Sequence, residues 1–397
     1  MSATVLEGDA LSTLATLPAE AFQCCITSPP YFGLRDYGVA GQMGLEATPD
    51  AYVAGMVAVF AEVRRVLRDD GTLWLNIGDS YCSTAPGTRN APQTKGSATD
   101  PEQWANPRPK TPIGMKPKDL IGIPWMLAFA LRADGWYLRA DIIWHKPNPM
   151  PESIKDRPTK AHEYVFLLTK QPRYFYDQDA IVESAESFGR QHTSGTQSPK
   201  TRALKAAGFH GEGGDLGLNY ERETRNSRSV WTVATEAFSG AHFATMPTEL
   251  ARRCIAAGSS ERGQCPHCGA PWVRVIGKGE PDPEWQERCG ADASGGYAGQ
   301  STKGHDDAGV QNASDVKRRI LAGLGTKKFL GWRPSCACPP HEPVPQHVLD
   351  PFGGAGTTAL VAERLKRDAT IIELNPEYAA MARSRIIADA PLLAEVA

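Results

Sequence analysis

Long hydrophobic runs are missing from this chain of 397 residues. No apolar stretch reaches the length of about 18 residues that a membrane-spanning helix needs. The amino terminus, MSATVLEGDAL, also lacks the basic and apolar regions of a signal peptide. The net charge is small, because the chain has 43 Lys and Arg and 45 Asp and Glu. Contact with a polyanion would therefore have to come from local basic patches. We expect a cytoplasmic protein without a membrane partner.

Cysteine is scarce, with nine residues in the chain, which is too few for a disulfide scaffold. Five of them lie between residues 265 and 338, where they indicate a metal site in a reducing compartment. Glycine and proline are abundant instead, with 38 and 31 residues. That excess predicts several long loops between structured segments.

Short apolar strands alternate with amphipathic helices toward both ends of the chain. This alternation predicts an α/β fold with a mostly parallel sheet covered on both faces. Asp69, Asp70 and Gly71 are expected to end the predicted helix 51–67 before the strand that follows it. The predicted strands are 21–27, 72–77, 137–144, 163–168, 347–349 and 370–373, and the predicted helices are 51–67, 120–133 and 357–365.

Ser28–Tyr31, with the sequence Ser-Pro-Pro-Tyr, follows the first predicted strand. Proline fixes the backbone and cannot donate a hydrogen bond, so the carbonyls of Pro29 and Pro30 are expected to be free acceptors. The Ser28 hydroxyl adds an acceptor, and the Tyr31 ring adds a flat stacking surface. This group suits a planar amino group held beneath an aromatic ring. A plain turn after a strand is the alternative interpretation.

A glycine-rich loop, Asp350–Thr358, lies between a predicted strand and a predicted helix. Glycine allows a ligand to approach the backbone, and the helix amino terminus offers unpaired N–H groups. No Gly-Lys-Ser/Thr follows, so this is not a phosphate-binding loop of the Walker type. Glu373 ends the next strand, at a position where a carboxylate commonly binds ribose hydroxyls. The pattern predicts a nucleoside cofactor.

With these motifs the chain resembles the S-adenosylmethionine-dependent DNA amino-methyltransferases, in the permuted subgroup where the catalytic motif precedes the cofactor motif. The resemblance implies a Rossmann-like class I methyltransferase fold, S-adenosylmethionine as cofactor, and DNA as partner. It makes Ser28, Pro29, Pro30 and Tyr31 catalytic. It assigns cofactor binding to Asp9, His242, Phe243, Ala244, Thr245, Asp350, Phe352, Gly353, Gly354, Gly356, Thr357, Thr358, Glu373 and Asn375.

Three functions stay open at this point. In the family, serine at the first position of the tetrapeptide is typical of cytosine-N4 methylation, so Ser28 favours that reaction. Asp or Asn there is more typical of adenine-N6 methylation, which is the alternative. A non-catalytic DNA-binding module containing zinc is the third reading. Carbon-5 methylation of cytosine is excluded, because that reaction usually uses a Pro-Cys pair and the sequence has none.

Four cysteines have spacings typical of a zinc knuckle. Cys265 and Cys268 form a Cys-x₂-Cys pair followed by glycine, and Cys336 and Cys338 form a Cys-x-Cys pair. Four thiolates make a closed tetrahedral site, so zinc would be structural. Reduced thiols without metal are the alternative, and His267 or Cys289 could replace one ligand.

The resemblance also divides the chain. Residues 1–183 form the catalytic half with a basic loop at 83–118, and residues 230–258 with 343–397 form the cofactor half. Segment 184–229 is the expected target-recognition insertion, and 259–342 is the expected zinc-knuckle insertion. A homodimer and a companion restriction endonuclease stay open as further partners. The cations expected to contact DNA in the recognition segment are Arg190, Lys200, Arg202, Lys205, Arg222, Arg225 and Arg228.

Overall fold

The computed structural model describes residues 2–34, 38–82, 115–184, 224–236, 245–278, 327–389 and 395–396. The chain divides into two compact units. The first combines Met1–Ile181, Arg228–Val273 and Pro334–Ala397, and the second combines Val182–Ser227 and Arg274–Arg333. Within the described ranges, no helix has the length and apolar character to cross a membrane.

The elements of the described residues are named here in chain order. The strands are β1 Ser2–Glu7, β2 Phe22–Thr27, β3 Leu67–Ile77, β4 Tyr137–His145, β5 His162–Thr169, β6 Glu183–Ser184, β7 Thr224–Arg225, β8 Val230–Thr232, β9 Trp272–Lys278, β10 Lys327–Pro334, β11 His347–Asp350, β12 Asp368–Glu373 and β13 Glu395–Val396. The α-helices are α1 Ala10–Thr16, α2 Pro49–Val66, α3 Ile123–Ala133, α4 Thr248–Gly258, α5 Thr357–Arg364 and α6 Pro376–Asp389.

The first unit is built on a nine-stranded sheet in the order β13-β1-β12-β11-β2-β3-β5-β4-β8. All pairs from β13 to β3 are parallel. Strand β5 runs antiparallel to both of its neighbours, β3 and β4. One edge of the sheet therefore carries the carboxyl ends of β1, β2, β3, β4, β11 and β12 together with the amino end of β5. This confirms the mostly parallel α/β sheet predicted from the sequence.

Helices cover both faces of this sheet. Buried residues of α4, α5 and α6 pack on one face with Cys24 and Ile26 of β2. Residues of α1, α2 and α3 pack on the other face with Phe22 and Cys25 of the same strand. From Cys24 onward successive side chains of β2 lie on opposite faces, and the register shift between Phe22 and Cys24 accounts for Phe22 lying on the same face as Cys25. All six residues of β2 are buried.

The turn expected at Asp69, Asp70 and Gly71 is not where the helix ends. Helix α2 ends at Val66 and β3 begins at Leu67, so these residues belong to the strand. Leu67 already pairs with Phe22 of β2, and a register shift between Phe22 and Cys24 absorbs the extra residues. Sheet pairing therefore overrides the local turn signal.

The second unit contains two short sheets among its described residues. In one, β6 pairs antiparallel with β7, and the side chains of Glu183 and Arg225 form an ion pair of 3.2 Å. In the other, β9 pairs with β10. Most of the recognition segment, 185–223, and most of the basic loop, 83–114, lie outside the described residues.

Candidate active site

Two loops meet at the edge of the sheet where the order of the strands reverses. Strands β11 and β2 are neighbours, but the chain leaves them in opposite directions. The connection after β11 leads to β12 on one side of the pair, and the connection after β2 leads to β3 on the other side. In open α/β sheets, ligands bind in the crevice at such a switch point. The tetrapeptide Ser28–Tyr31 follows β2, and the glycine loop follows β11. Both line one cavity of about 270 Å³.

Most of the predicted site residues share this cavity. Its walls include Asp9, Ser28, Pro29, Pro30, Tyr31, Thr245, Asp350, Phe352, Gly353, Gly354, Thr357, Thr358, Glu373 and Asn375. His242, Phe243 and Ala244 lie outside the described residues. Gly356 is described but does not line the cavity.

Gly356 has a packing role that the sequence did not predict, and its contact with a cofactor stays a prediction. Its φ of +76° lies in the left-handed region that favours glycine. A β-carbon there would come within 2.9 Å of Cβ of Ala382 in α6. Gly354 differs, since it has a φ of +51° and open space around the position of a β-carbon. Gly354 therefore leaves the backbone open toward the cavity.

Asp350 joins the two loops across the switch point. The buried carboxylate accepts hydrogen bonds from the Thr27 hydroxyl at 2.7 Å, the Thr358 hydroxyl at 2.6 Å and the Phe352 N–H at 3.0 Å. Burial raises its pKa to about 6, although these three donors oppose the shift. Asp350 therefore supports the shape of the cavity from within its wall.

Glu373 is also held by the backbone around it. One carboxylate oxygen accepts from the Gly354 N–H at 2.7 Å and the other from the Asn375 N–H at 2.8 Å. Burial raises the pKa of this carboxyl group. The Asn375 side chain accepts from the N–H of Glu377 at the start of α6, and Asp9 likewise caps α1. These groups are fixed before any ligand arrives.

Tyr31 belongs to a polar cluster that the sequence did not predict. Its hydroxyl donates to Glu163 at 2.7 Å, and the side-chain amide of Asn76 donates to the same carboxylate oxygen at 3.2 Å. The Lys146 ammonium forms an ion pair with Glu163 and lies 4.2 Å from the centroid of the Trp144 ring. Burial and the Glu163 carboxylate raise the pKa of Tyr31 well above its usual value.

The direction of β5 explains why this cluster was missed. Because β5 is antiparallel, Glu163 at its beginning lies beside Asn76 at the end of β3 and near Lys146, which follows β4. The sequence shows Trp144–Lys146 and His162–Tyr164 as separate short blocks. Only the reversed strand brings them to the tetrapeptide.

The acceptors of the tetrapeptide differ from the expectation in one respect. The Pro30 carbonyl is not free, because it accepts from the Tyr52 hydroxyl at 2.8 Å. No described residue donates to the Pro29 carbonyl, so that acceptor remains. The Ser28 hydroxyl lies 3.5 Å from the Tyr31 hydroxyl. Ser28 and Pro29 therefore supply the two acceptors in the cavity.

The four cysteines of the knuckle motif meet in the first unit. The sulfur atoms of Cys265, Cys268, Cys336 and Cys338 all lie within 4.8 Å of one another. Tetrahedral zinc with Zn–S bonds of about 2.3 Å requires sulfur atoms roughly 3.8 Å apart, so this set fits the ion. The Gly269 N–H donates to the Cys265 carbonyl at 2.8 Å, which closes the turn between the first two thiols.

The fold and the cavity define an α/β enzyme with a site for a nucleoside-containing cofactor. The N6/N4-methyltransferase family model, described as DNA methylase, matches residues 22–265 and 342–384. The chain belongs to this family and is a DNA methyltransferase.

The chain is also similar to individual methyltransferases. Type II methyltransferase M.XycI of Xanthomonas campestris pv. cyanopsidis is 40% identical over 383 residues, which are 96% of this chain and 87% of that protein. Type II methyltransferase M.Cfr9I of Citrobacter freundii is 39% identical over 384 residues, with 97% and 87% covered. The solved structure of PvuII DNA methyltransferase, a cytosine-N4-specific enzyme, aligns at a TM-score of 0.49 and 16% identity over 97% of this chain and 86% of that one.

Proposed function

We propose that this DNA methyltransferase transfers the methyl group of S-adenosylmethionine to the exocyclic N4 of cytosine in DNA. The observation that carries the proposal is the cavity shared by two acceptors, the Ser28 hydroxyl and the Pro29 carbonyl, and by the open glycine loop. A methyl acceptor and a nucleoside cofactor would meet there at the switch point of the sheet.

The cavity residues fit the cofactor. The Glu373 carboxylate lines the cavity and would accept from ribose hydroxyls, and the Gly354 backbone leaves room for a ligand beside it. Asp9 and Asn375 line the same wall. When bound, the cofactor supplies an electrophilic methyl group on a sulfonium. Thr245 is expected to help hold its methionine part, as the resemblance implies for His242, Phe243 and Ala244.

The other residues would prepare the target amine. An amine conjugated to a base ring is a poor nucleophile, because its lone pair is delocalised. Accepting its two hydrogens at Ser28 and Pro29 would shift the nitrogen toward a tetrahedral geometry and release that lone pair. Holding amine and methyl in line would supply much of the rate. The N–CH3 bond would form as the S–CH3 bond of the sulfonium breaks, a neutral thioether would leave, and the surplus amine proton would pass to solvent. No covalent bond between enzyme and base is needed.

The base must leave the duplex before it can enter the cavity, because its amine is otherwise paired. The Tyr31 ring would stack on the extruded base. The Tyr31 hydroxyl donates a hydrogen bond to Glu163, and this contact fixes the position of the ring. Serine at the first position of the tetrapeptide favours cytosine on the family pattern, and adenine N6 is the alternative acceptor.

Long-read sequencing that detects modified bases tests the proposal in cells. DNA from cells expressing the protein should carry N4-methylcytosine at one sequence motif, and cells expressing Ser28→Ala should lack it. Methylation confined to adenine would show that the target is adenine N6 instead of cytosine N4. No new modification with either protein would favour a non-catalytic DNA-binding module.

We also propose that the four-cysteine cluster binds one structural zinc ion. Elemental analysis of protein purified without chelator should find one zinc per chain. Cys265→Ser and Cys336→Ser should lower the zinc content, whereas Cys82→Ala should not, since Cys82 lies outside the cluster. Wild-type protein without zinc would contradict the proposal.

The partners other than DNA remain proposals. The Type II names of the relatives support a companion restriction endonuclease. Cells that co-express an endonuclease cutting the same motif should survive only when the methyltransferase is active. A homodimer would show as twice the monomer mass in light scattering.

A further inference from the structure

Strands β9 and β10 form a two-stranded sheet that we call the basic ribbon. Its sequences, WVRVIGK and KKFLGWRP, contain five cations and no acidic residue. The whole chain has two more acidic than basic residues. The basic ribbon is therefore a local concentration of positive charge in a slightly acidic protein, and such a patch marks a surface for a polyanion.

Aromatic rings accompany the charge. The Arg274 guanidinium lies 4.5 Å from the Trp332 ring centroid and 5.7 Å from that of Phe329. The two rings are 5.7 Å apart. They are three positions apart in one strand, and Gly331 between them has a φ of +131°, which glycine adopts readily. That conformation interrupts the strand alternation, so that both rings lie next to one arginine.

The basic ribbon also exposes apolar surface. Phe329 is 49% exposed and Leu330 is 62% exposed, and Arg333 is exposed as well. A position for a β-carbon at Gly277 would come within 2.5 Å of Leu330, so the two strands pack closely. Interleaved cations and exposed rings are typical of surfaces that contact nucleic acid.

The two chain segments that enter and leave the basic ribbon are fixed to each other. The Pro271 carbonyl accepts hydrogen bonds from both the N–H and the hydroxyl of Ser335, at 3.3 and 2.6 Å. The Trp272 ring lies 6.0 Å from the His341 ring, edge to face. The cysteine pairs 265/268 and 336/338 flank these residues in sequence. The two segments are thus joined to each other where the chain enters and leaves the ribbon.

We propose that the basic ribbon is a DNA-contacting arm of this enzyme and that its cations bind the phosphates of the duplex. The inference rests on the DNA substrate of the family but not on which base is methylated. The major groove of B-DNA, about 12 Å wide, admits a two-stranded β-ribbon. Phosphate contacts from Arg and Lys fix the position of a protein on the duplex. This assigns a DNA-binding role outside the basic loop 83–118 and segment 184–229, the two segments that the sequence favours for DNA contact.

Fluorescence anisotropy with a labelled 30-base-pair duplex of mixed sequence tests the arm in the full-length protein. In a salt series, Lys327→Ala/Arg333→Ala should raise the Kd at least tenfold near 0.1 M salt. The slope of log Kd against log salt concentration should fall by about two, because two counterion-releasing contacts are lost. Zinc content and circular dichroism should match the wild type.

The matched control removes two exposed cations from the first unit. Arg132 lies in the last turn of α3 and Lys366 follows α5, so both lie near the sheet edge opposite to the cavity. Lys366 has a φ of +62°, so it is replaced by Asn, which tolerates that backbone. Arg132→Ala/Lys366→Asn should bind DNA as the wild type does.

Three outcomes separate the ribbon from the proposed function. Unchanged Kd and slope in Lys327→Ala/Arg333→Ala, or an equal loss in the control variant, would overturn the DNA-contacting arm. A loss of DNA affinity with unchanged S-adenosylmethionine binding supports it. Formation of N6-methyladenine by the wild type would contradict the proposal that cytosine is methylated, but it would not contradict the DNA-contacting arm.

Discussion

The two sides of the cavity are held together in different ways. On the cofactor side, which comprises Asp350–Thr358 and Glu373, the carboxylates bind mainly N–H and hydroxyl groups of that same side, and one further hydrogen bond comes to Asp350 from Thr27 of β2. On the base side, which comprises Ser28–Tyr31, Asn76, Lys146 and Glu163, side chains from the ends of four neighbouring strands bind one another. Defects on the cofactor side should therefore lower stability and cofactor affinity, and defects on the base side should lower the rate.

The largest expected effect is on the base side. Ser28→Ala should lower kcat roughly 10²- to 10³-fold, by analogy with the loss of one hydrogen-bonding group that acts mainly in the transition state. S-adenosylmethionine affinity should be unchanged. Ser28→Thr, which keeps the hydroxyl, should retain more activity than Ala. Single-turnover kinetics and calorimetry measure the two quantities, and a parallel loss of cofactor affinity would break the separation of the two sides.

A stability effect is expected at Asp350. Burial raises its pKa from 3.8 to about 6, so the folded state holds this proton more tightly than the unfolded state. The contribution of Asp350 to the free energy of unfolding should therefore fall as pH rises from about 4 to about 6, by roughly 3 kcal/mol in total. Asp350→Asn does not titrate and should lack this decline. Urea unfolding of both proteins across that range measures the difference.

Asp389 gives a control of opposite sign. Its hydrogen bonds to Arg364 lower its pKa, so its contribution to stability is present at neutral pH and is lost as pH falls. The stability difference between the wild type and Asp389→Asn should therefore grow as pH rises. A difference for Asp350→Asn that stays constant with pH would contradict the buried, proton-retaining carboxyl group.

Cofactor affinity should depend on Glu373. Glu373→Ala should weaken S-adenosylmethionine binding by about 1.5–3 kcal/mol, the scale of hydrogen bonds to a charged group. Glu373→Gln, which keeps one acceptor oxygen, should lose less. Titration calorimetry without DNA isolates the binding step. Unchanged affinity in Glu373→Ala would remove this carboxylate from the cofactor site.

The smallest effect is expected at Glu163. Glu163→Gln keeps an acceptor for the Tyr31 hydroxyl but removes the negative charge that pairs with Lys146. We expect kcat/KM for DNA to fall about tenfold, which corresponds to about 1.4 kcal/mol. S-adenosylmethionine affinity should not change. If cofactor affinity falls instead, Glu163 belongs functionally to the other side of the cavity.

The two sides of the cavity also differ in how much of each could be predicted from the sequence. The cofactor side is local: a strand, a glycine loop, a helix and an acid at the end of the next strand follow one another within Asp350–Glu373. Such consecutive signals can be read without knowing the fold. The packing of Gly356 against Ala382 could not be predicted in this way, because it depends on how two helices pack together.

The base side is not local. Tyr31 and Glu163 are 132 positions apart and meet because β5 inserts antiparallel between β3 and β4. Hydrophobic patterning predicts that a segment is a strand but not the direction in which it pairs. The hydrogen bond from the Tyr52 hydroxyl to the Pro30 carbonyl was missed for another reason, because it depends on how helix α2 packs beside the tetrapeptide. The four cysteines were predictable because their residue type and spacing already imply the cluster.

The central claim is that the cavity methylates an exocyclic base amine and that this amine is N4 of cytosine. Purified protein should be incubated with unmethylated DNA and S-adenosylmethionine carrying a deuterated methyl group, and the nucleosides analysed by mass spectrometry. We predict deuterated N4-methylcytosine with the wild type and none with Ser28→Ala. Deuterated N6-methyladenine without N4-methylcytosine would contradict the account.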